Sequence, residues 1–548
     1  YSLIDKIKST NTYTIDNESL IAFRDNASSI IGFKNMKLLD KLVDYSANEV
    51  YFKTDLKTGW YHLTSNAETH NFPTSICPFP GAATGTGGRI RDTVSIGQGG
   101  EILSGFCGYY VGDTECMDQS QYPYKLPIDT LILASNGCSD YGNKIGEPVL
   151  GGFTRDFKLK YKDERFEYVK PVLYSAGNGL IWDNSMYKTE FTKENLEKQS
   201  DKVYVLRVGG KAYKIGLGGG SCSSRDQSET NKNQDLVAVQ RGNPEMENRV
   251  IRFVEKCSEL GLILSIHDQG SGGMANVTKE IVTPCGADIY LSEVSLGDKS
   301  MNDFEIWNSE YQEQVSVLVS ARNLESCTLI AERENVPLDC VGCLNNSGSI
   351  RVFSKETKKE ESEGEIVLNF NLNDIEELPK QVINVKKEEI TTEIIHLTQD
   401  VFDFVPIEPL EDLIKRIFTD VSVSSKRYLV HKVDRSVGGL VAQQQCVGPW
   451  NMPLADYSIS HINFFGYNGI ATSFGERPIL GLLNINSMIT MSVGEMLTNL
   501  IFSGAEYNSI KCQGNWMWSV NHKNYNFLLY AAVEKLRRTL GTLGIGID

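Results

Sequence analysis

Helix-like and strand-like segments alternate along most of this 548-residue chain, and this alternation restricts the fold more than any other feature. Residues 244–260 have helical apolar spacing, residues 262–267 and 314–320 are strand-like, and a further helical run precedes a strand around Cys340. Between residues 1 and 225, strand-like segments such as 130–134 are interleaved with glycine-rich turns. The pattern predicts sheets covered by helices, an α/β or α+β fold.

Length and local composition divide the chain into modules. A chain of 548 residues is longer than one domain, and its length predicts about three or four. A charged stretch at residues 354–389 has few aromatic residues, which is typical of a solvated loop or linker. We therefore predict modules at residues 1–225, 226–380 and 411–548, with a linker at 381–410. Residues 475–481 and 461–464 resemble residues 146–151 and 70–72, which suggests that the third module duplicates the first.

Charge and cysteine content exclude several classes of protein. The formal net charge of −16 opposes nonspecific binding to nucleic acid or to an anionic membrane. The 12 cysteines form no repeating framework, which favours a reducing compartment. Cys340 and Cys343 form a C-x-x-C pair without two further zinc ligands nearby, so buried strand residues are the better interpretation. With no long apolar run and no secretory signal, we expect a cytoplasmic protein.

The ends of the chain carry a further indication. The first residue is Tyr1 and the last six residues resemble a buried strand, so we also expect a fragment of a longer polypeptide.

The most concentrated chemistry lies between Glu68 and Asp92. A carboxylate, an imidazole and an amide occur at Glu68, His70 and Asn71, and a glycine-rich run with two arginines and a carboxylate follows. Glycines let backbone N–H groups approach phosphate, carboxylates hold magnesium, and arginine binds oxyanions. The segment predicts a site for phosphate chemistry. Two alternatives remain open: glycines also occur where two elements approach closely, and His70 alone would suit a structural role. No Walker A sequence is present.

A second candidate group lies in the third module. Glu495 and Asn499 are four residues apart, so both oxygens would lie on one face of a helix, where a cation could be shared with Asp456 from a loop. The alternative is that Glu495 is a first-turn carboxylate favoured by the helix dipole and that Asn499 is solvated.

Taken together, these segments resemble the phosphoribosylformylglycinamidine synthase family, also called formylglycinamide ribonucleotide amidotransferase, in its large single-chain form. The resemblance follows family order over nearly the whole chain. It rests on residues 68–92, 134–143, 239–247, 267–273, 305–314, 434–439, 447–456, 494–499 and 515–518.

The resemblance implies an ATP-dependent ligase of purine biosynthesis. Its reaction would convert formylglycinamide ribonucleotide to formylglycinamidine ribonucleotide with ammonia derived from glutamine, through an iminophosphate. The implied fold is a tandem of modules similar to aminoimidazole ribonucleotide synthetase, of which this chain would contain A1, B1 and part of A2. The remainder of A2, all of B2 and the glutaminase domain have no counterpart here, so we expect the chain alone to be incomplete. Those domains of the same polypeptide, and the small-molecule substrates, are the implied partners.

The resemblance also implies roles for individual residues. His70 is the implied proton acceptor, Glu68 is an implied magnesium ligand, and Asp92 and Asp268 are implied ligands of a second magnesium. The implied substrate contacts are Thr69, Asn71, Phe72, Arg91, Gln240, Glu310, Tyr311 and Gln312. The implied nucleotide-binding residues are Gly81, Ala82, Ala83, Thr84, Gly85, Thr86, Gly87, Gly88, Arg89, Ile90, Arg91, Asp92 and Asn515. In the third module Asp456, Glu495 and Asn499 resemble the magnesium ligands of an auxiliary site that holds ADP structurally.

Two other functions compete with this interpretation. One is another ATP-using relative, such as aminoimidazole ribonucleotide synthetase, selenophosphate synthetase or thiamine-phosphate kinase; the length of the chain and its Gly-Pro-Trp and Asn-Trp-Met-Trp segments argue against it. The other is a nucleotide-binding scaffold without catalysis, in which Glu68 and His70 would be dispensable.

Overall fold

A computed structural model of the chain describes residues 2–14, 18–46, 49–161, 163–223, 232–357, 364–376, 382, 409–519 and 525–548. Nearly all of the predicted linker at 381–410 lies outside the described residues, as does the end of the predicted second module. The described chain forms three parts, each with its own sheet or sheets.

The first part is built on a six-stranded sheet with the order β1-β2-β3-β8-β4-β5. Its strands are β1 (Ser19–Ile21), β2 (Ser28–Ser46), β3 (Glu49–His70), β4 (Glu101–Val111), β5 (Val149–Asp156) and β8 (Val172–Trp182). Between β5 and β8 the chain forms a separate hairpin of β6 (Lys158–Tyr161) and β7 (Glu164–Glu167). Its helices are α1 (Leu3–Lys8), α2 (Phe72–Ile76), α3 (Pro78–Val94), α4 (Pro127–Ile145), α5 (Lys193–Lys198) and α6 (Gly219–Ser223).

Helix α4 corrects one expectation. Residues 130–134, predicted as a strand, lie inside this helix. Leu131, Ala134, Cys138 and Tyr141 are buried on one side of it, which is helical spacing. The five-residue window was too short to distinguish this pattern from a strand.

The second part is a seven-stranded sheet with the order β10-β12-β9-β13-β11-β14-β15. Its strands are β9 (Val203–Gly209), β10 (Ser265–Asp268), β11 (Ala287–Tyr290), β12 (Gln314–Ser320), β13 (Leu338–Leu344), β14 (Ser349–Phe353) and β15 (Ile366–Asn371). Its helices are α7 (Lys232–Ala238), α8 (Pro244–Glu259), α9 (Gly273–Val282), α10 (Asp303–Asn308), α11 (Leu324–Glu334) and α12 (Asn373–Glu376). Because β9 pairs with β12 and β13, this sheet begins well before the predicted boundary at residue 225.

Helix α3 belongs to the cores of both parts. Ala82 packs into the core beneath the first sheet, with residues of β4, β8 and α4. Ala83, Ile90 and Val94 pack instead with α8, α11 and the strands β9 and β12 of the second sheet. The helix is therefore enclosed between the two sheets, so it must present apolar residues on the side that faces each core.

The third part contains smaller sheets and two long helices. Its elements are α13 (Leu410–Thr419), α14 (Arg427–Val430), β16 (Val441–Gln443), β17 (Cys446–Val447), β18 (Met452–Pro453), β19 (Tyr457–His461), β20 (Gly469–Ser473), α15 (Ile485–Leu500), β21 (Lys511–Cys512), α16 (Tyr525–Leu543) and β22 (Gly546–Ile547). The sheet β16-β19-β20 packs on the first sheet, where Ile462 meets Tyr61 and Leu180. The N-terminal segment also joins this part, since Lys6 pairs with Glu534 at 2.9 Å.

The two sequence echoes lie at different points of their modules. Residues 146–151 lead from helix α4 into strand β5, whereas residues 475–481 follow strand β20 and precede helix α15. Likewise, His70 ends a strand that leads into a helix, but His461 ends a strand that turns back into a hairpin. These short matches are therefore coincidental, and the likeness of the modules does not rest on them.

Candidate functional site

Three carboxylates from different elements converge between the first and second sheets. Glu68 lies near the end of β3, Asp92 near the end of α3, and Asp268 at the end of β10. Partial desolvation and the charge of Asp268 raise the pKa of Glu68, although part of that side chain is exposed. Burial, Asp268 and Glu68 together raise the pKa of Asp92 well above its usual value. The three charges thus repel one another, which is the condition under which a divalent cation is favoured.

Two asparagines that sequence analysis missed hold two of these carboxylates. Asn26 donates from Nδ2 to Asp268 Oδ1 at 2.7 Å. Asn66 donates to the Arg89 carbonyl at 2.9 Å and approaches Asp92 Oδ2 at 3.4 Å. Asn66 could have been found, because Asn66, Glu68 and His70 alternate along one face of a strand. Asn26 gave no such signal, since it lies in a turn distant in sequence from its partner.

Asp268 differs from the other two carboxylates in its protonation. Burial opposes its ionisation, but a hydrogen bond with His267 and the positive charges of His267, Arg91 and Lys188 lower its pKa overall. His267 Nδ1 lies 3.4 Å from Asp268 Oδ1. Asp268 is therefore the most readily ionised member of the group.

His70 is held in one orientation beside this group. Its Nδ1 lies 2.6 Å from the carbonyl oxygen of Gly81, which can only accept, so Nδ1 carries the proton and Nε2 is left as an acceptor. Burial lowers the pKa of His70 to about 4, the Gly81 carbonyl opposes this change, and the charge of Arg91 adds to it. The imidazole is neutral at neutral pH.

The glycine-rich run is a helix, which bears on the expectation that its backbone N–H groups approach phosphate. Residues 78–94 form α3, and most of them are buried. The backbone N–H groups inside a helix are already bonded, Pro78 and Pro80 have none to offer at its start, and Gly81 N–H bonds to the Cys77 carbonyl. A cradle of free N–H groups along Gly81–Asp92 is therefore absent from this described segment.

Close packing explains the glycines. A Cβ at Gly85 would lie 2.7 Å from His70 Cβ and 2.9 Å from its Cγ, and a Cβ at Gly87 would lie 2.5 Å from Tyr141 Oη. A Cβ at Gly81 would overlap the backbone of Pro73. The alternative left open by the sequence, close approach of two elements, accounts for these three positions.

Arg91 is neutralised by buried protein groups. Its guanidinium donates to Glu247 Oε2 at 3.3 Å and to Gln312 Oε1, and it lies 3.7 Å from Glu313 Oε1. Burial raises the pKa of Glu247 to about 8 despite this cation. The side chain of Arg91 is 1% exposed, so this arrangement does not support a direct clamp on a substrate phosphate.

Glu310 organises two glycine-rich turns. Its Oε1 accepts the N–H groups of Gly220 and Gly272, both at 2.9 Å. Its Oε2 accepts from Gln240 Nε2, whereas the buried Oε1 of Gln240 has no described partner. Both side chains are buried, so Glu310 acts here as the acceptor that holds the two turns together.

Other predicted substrate contacts face protein interior. Tyr311 is 2% exposed and its hydroxyl donates to the Ile306 carbonyl at 3.3 Å. Phe72 is fully buried among Ile76 and Val239. Neither placement supports a contact with a substrate, because these side chains fill the core.

The neighbours of His70 have structural partners as well. Asn71 caps helix α2 by accepting the Phe72 N–H at 2.6 Å. Thr69 is half-buried and donates its hydroxyl to Met517 Sδ at 3.2 Å.

The third-part candidates share one helix face, as predicted. Glu495 Oε2 accepts the Glu476 N–H at 2.9 Å and its Oε1 pairs with Arg477 at 2.6 Å, while Asn499 donates to the Phe474 carbonyl at 3.2 Å. Glu495 lies far from the first turn of α15, so the helix-dipole alternative is wrong. Asp456 is exposed and has no hydrogen bond or ion pair with the described residues. Asn515 donates to the Ala67 carbonyl at 3.2 Å, beside Glu68.

The site near Glu68 suits magnesium better than a metal held by protein alone. Across the described segments, no group of three or more His, Cys, Asp or Glu side chains has the geometry to hold a metal ion. Magnesium commonly uses one or two carboxylates and takes its other ligands from water and phosphate oxygens. The hard oxygen donors of Glu68, Asp92 and Asp268, with Glu68 unpaired among the described residues, fit such a shared site.

No helix in the described part of the chain combines the length and apolar character that crossing a membrane requires.

Two family models match separate regions of the chain. Residues 198–355 match the C-terminal domain of AIR synthase related proteins, and residues 425–548 match the FGAR-AT PurM_N-like domain. The first match begins just before β9, in agreement with the start of the second sheet.

Several curated relatives are similar over the full chain. Phosphoribosylformylglycinamidine synthase from Dictyostelium discoideum is 38% identical over 97% of this chain and 39% of its own length, and that from Homo sapiens is 37% identical over 100% of this chain and 41% of its own. The chain thus spans about two fifths of the relatives it matches. The Arabidopsis thaliana relative, 39% identical over 100% of this chain and 39% of its own length, is named as chloroplastic/mitochondrial, so a cytoplasmic location stays a prediction.

Solved structures share the fold. The Thermotoga maritima PurL complexed with FGAR has a TM-score of 0.61 at 19% identity and covers 89% of this chain and 69% of its own. The ADP complex of the same protein has a TM-score of 0.62 at 18% identity and covers 98% and 73%. The chain therefore has the PurL-like arrangement of tandem modules that its sequence predicted.

We expect Gly85→Ala to destabilise the protein and to displace the His70 ring. The added Cβ would lie 2.7 Å from His70 Cβ, and overpacking of this kind costs about 1–3 kcal/mol. Gly88→Ala is the matched control on the same helix, because its Cβ would meet only Arg91 Nη2 at 3.7 Å. Thermal unfolding of the two variants should show a lower midpoint for Gly85→Ala alone. Equal midpoints would contradict the packing role.

We expect Glu310→Ala to destabilise the protein by about 1–3 kcal/mol, because two glycine N–H groups lose their buried acceptor. Glu310→Gln should cost less than half as much, since one oxygen can still accept both N–H groups. The unpartnered Oε1 of Gln240 could then accept from the new amide. Denaturant unfolding of both variants measures the difference, and a glutamine as damaging as alanine would argue against this hydrogen-bond assignment.

Proposed function

The chain belongs to the phosphoribosylformylglycinamidine synthase family, and on this basis we propose that it forms the part of such an enzyme that binds ATP and formylglycinamide ribonucleotide. The observation that carries the proposal is the convergence of Glu68, Asp92 and Asp268 beside the neutral imidazole of His70. This arrangement supports phosphoryl transfer to a substrate amide.

The proposed reaction has two steps. The glycinamide carbonyl oxygen of the ribonucleotide takes the γ-phosphoryl group of ATP, which releases ADP and, with loss of the amide proton, leaves an iminophosphate. Ammonia then adds to the same carbon and phosphate departs, giving formylglycinamidine ribonucleotide. Glutamine hydrolysis in another domain of the same polypeptide would supply the ammonia.

Glu68, Asp92 and Asp268 would hold magnesium. The bound ion would neutralise the phosphate oxygens of ATP as charge moves onto the leaving ADP. The protein already holds two of these carboxylates by hydrogen bonds, from Asn26 to Asp268 and from Asn66 to Asp92. Their positions are thus set before any ligand arrives, which lowers the cost of organising the site.

His70 would orient the substrate amide and accept its proton. With Nδ1 fixed on the Gly81 carbonyl, the lone pair of Nε2 is the atom available for this task. The lowered pKa keeps that lone pair free at neutral pH. The partial burial of the imidazole strengthens its hydrogen bond to a substrate.

A structural ADP site in the third part is the second component of the proposal. Glu495 and Asn499 share a helix face, and Asp456 lies exposed at the start of β19. Magnesium and ADP would bring Asp456 into a shared coordination sphere with Glu495. The role would be stabilisation of the fold, because a ligand that binds only the folded state raises stability by mass action.

We expect His70→Asn, in the full-length enzyme that contains this chain, to lower the synthetase rate at least ~100-fold. Asparagine keeps a donor where Nδ1 donates to Gly81 but removes the acceptor at Nε2. The assay is formation of ADP that depends on formylglycinamide ribonucleotide, with ammonia as nitrogen donor. His431→Asn, at an exposed position, is the control.

Near-normal turnover of His70→Asn would refute the role of this imidazole. If Glu68→Gln were also fully active while nucleotide stayed bound, the chain would be a binding scaffold. ADP formation that did not depend on formylglycinamide ribonucleotide would instead favour another ATP-using relative.

We expect Asp456→Asn to reduce the ADP that stays bound during purification and to lower the thermal midpoint. Asp456 has no described hydrogen bond, so its substitution removes a ligand without removing a structural contact. ADP released by acid and separated by chromatography gives the occupancy. Glu506→Gln, an exposed carboxylate in the same part, should change neither value, and unchanged ADP in Asp456→Asn would exclude its assigned role.

A further inference from the structure

The strand that carries Glu68 and His70 extends beyond its partner on one side. Strand β2 begins pairing with β3 at Ser28, opposite Ser65. From Asn66 to His70, β3 continues to pair only with β8, up to the register pair His70 and Leu173. The outer edge of this final stretch is therefore not covered by a neighbouring strand among the described residues.

A segment of the third part lies along that edge with a two-residue repeat. Gln513 donates its amide to the Ser65 carbonyl and to Ser28 Oγ, the latter at 2.8 Å. Asn515 donates to the Ala67 carbonyl at 3.2 Å. Met517 Sδ accepts the Thr69 hydroxyl at 3.2 Å. Residues 513, 515 and 517 thus meet residues 65, 67 and 69 in parallel order, with two side-chain amides and one thioether in place of a backbone ladder.

The two faces of β3 have different tasks in this stretch. Side chains of successive strand residues point to opposite faces. Asn66 and His70 bond to helix α3 on one face, where Glu68 also meets the site carboxylates. Ala67, on the other face, packs near Val441 and Phe474 of the third part. A shift of the backbone at residues 65–69 would therefore move Glu68 and His70 directly.

We propose that Gln513 and Asn515 are positioning residues that fix the end of β3 and thereby set the places of the Glu68 carboxylate and the His70 imidazole. This inference rests on the proposed function for its catalytic consequence but not for its structural content. The two amides hold carbonyl oxygens on either side of Asn66, so the third part contributes to the geometry of a site whose reacting groups all lie elsewhere.

A second contact between the same two parts provides a matched control. Asn463 donates its amide to the Met36 carbonyl at 2.8 Å. Like the contact of Asn515, this contact joins the third part to the first sheet through an asparagine amide and a backbone carbonyl. However, Met36 lies in the β2–β3 hairpin opposite Thr58, far along β3 from Glu68. Its loss should weaken the interface without moving the site.

The test compares Gln513→Met, Asn515→Leu and Asn463→Leu in the full-length protein by two measurements. The first is amide hydrogen exchange of the peptide that covers residues 66–70. We expect exchange about 5-fold faster or more in Gln513→Met and Asn515→Leu, as for the loss of one net hydrogen bond, and wild-type exchange in Asn463→Leu.

The second measurement is ammonia-dependent kinetics. We expect kcat/KM for formylglycinamide ribonucleotide to fall ~10- to 100-fold in Asn515→Leu, since small displacements of reacting groups have effects of this size. The magnesium concentration for half-maximal rate should also rise. Asn463→Leu should retain wild-type values even where its thermal midpoint falls equally.

The outcomes separate the two proposals. Unchanged exchange at residues 66–70 in Asn515→Leu and Gln513→Met would overturn the positioning inference, whatever the kinetics. If the wild-type protein formed no ADP from these substrates, the proposed function would fail while faster exchange in these two variants still supported the structural inference. If exchange at residues 66–70 rose equally in Asn463→Leu, general weakening of the interface would be the explanation and the positioning inference would be overturned.

Discussion

Helix α3 can pass between the two sheets only because it has almost no side-chain volume where neighbouring elements approach it most closely. Gly81, Gly85 and Gly87 meet the Pro73 backbone, the His70 ring and Tyr141, at separations that leave no room for a Cβ. Glycine inside a helix costs about 0.5–1 kcal/mol each relative to alanine. The apolar residues that α3 contributes to the cores of both parts offset this cost.

The same close approach determines the electrostatics. Arg89 and Arg91 leave α3 in different directions, and each is buried against carboxylates: Glu147 for Arg89, and Glu247 with Glu313 for Arg91. Removing one partner of such a buried pair typically costs about 3–5 kcal/mol. Asp92 leaves the same helix toward Glu68 and Asp268, where it meets repulsion instead. The helix thus pairs its cations with buried carboxylates and presents a carboxyl group without an ion-pair partner at the site, which is the asymmetry that a cation-dependent phosphate site requires.

Sequence reasoning succeeded where a pattern was long and local. The helical spacing of residues 244–260 and the strand-like run at 314–320 correspond to α8 and β12, because amphipathic spacing over such lengths has one consistent solution. It failed at residues 130–134, where five residues carry too little periodicity. At Gly81–Asp92 it expected backbone N–H groups free for phosphate, whereas the run is a helix whose glycines allow close packing. The motif neighbours Glu68, His70 and Asp92 were found because they are close in sequence. Asn26, which bonds to Asp268 across a long stretch of chain, could only be found in three dimensions.

Two of the contacts that join the third part to the first sheet lead to candidate ligand groups. At one end of the interface, Glu476 pairs with Arg155 at 2.6 Å and accepts from Tyr110, while its own N–H bonds to Glu495. At the other, Asn515 holds the carbonyl next to Glu68. A rigid third part would therefore connect the carboxylate of Glu495 to the strand of Glu68 through hydrogen bonds and backbone alone. On the proposed function, a cation bound at one site would stiffen the support of the other without any moving element. The third part thus contributes fixed geometry to a strand end that has no neighbouring strand on one side among the described residues.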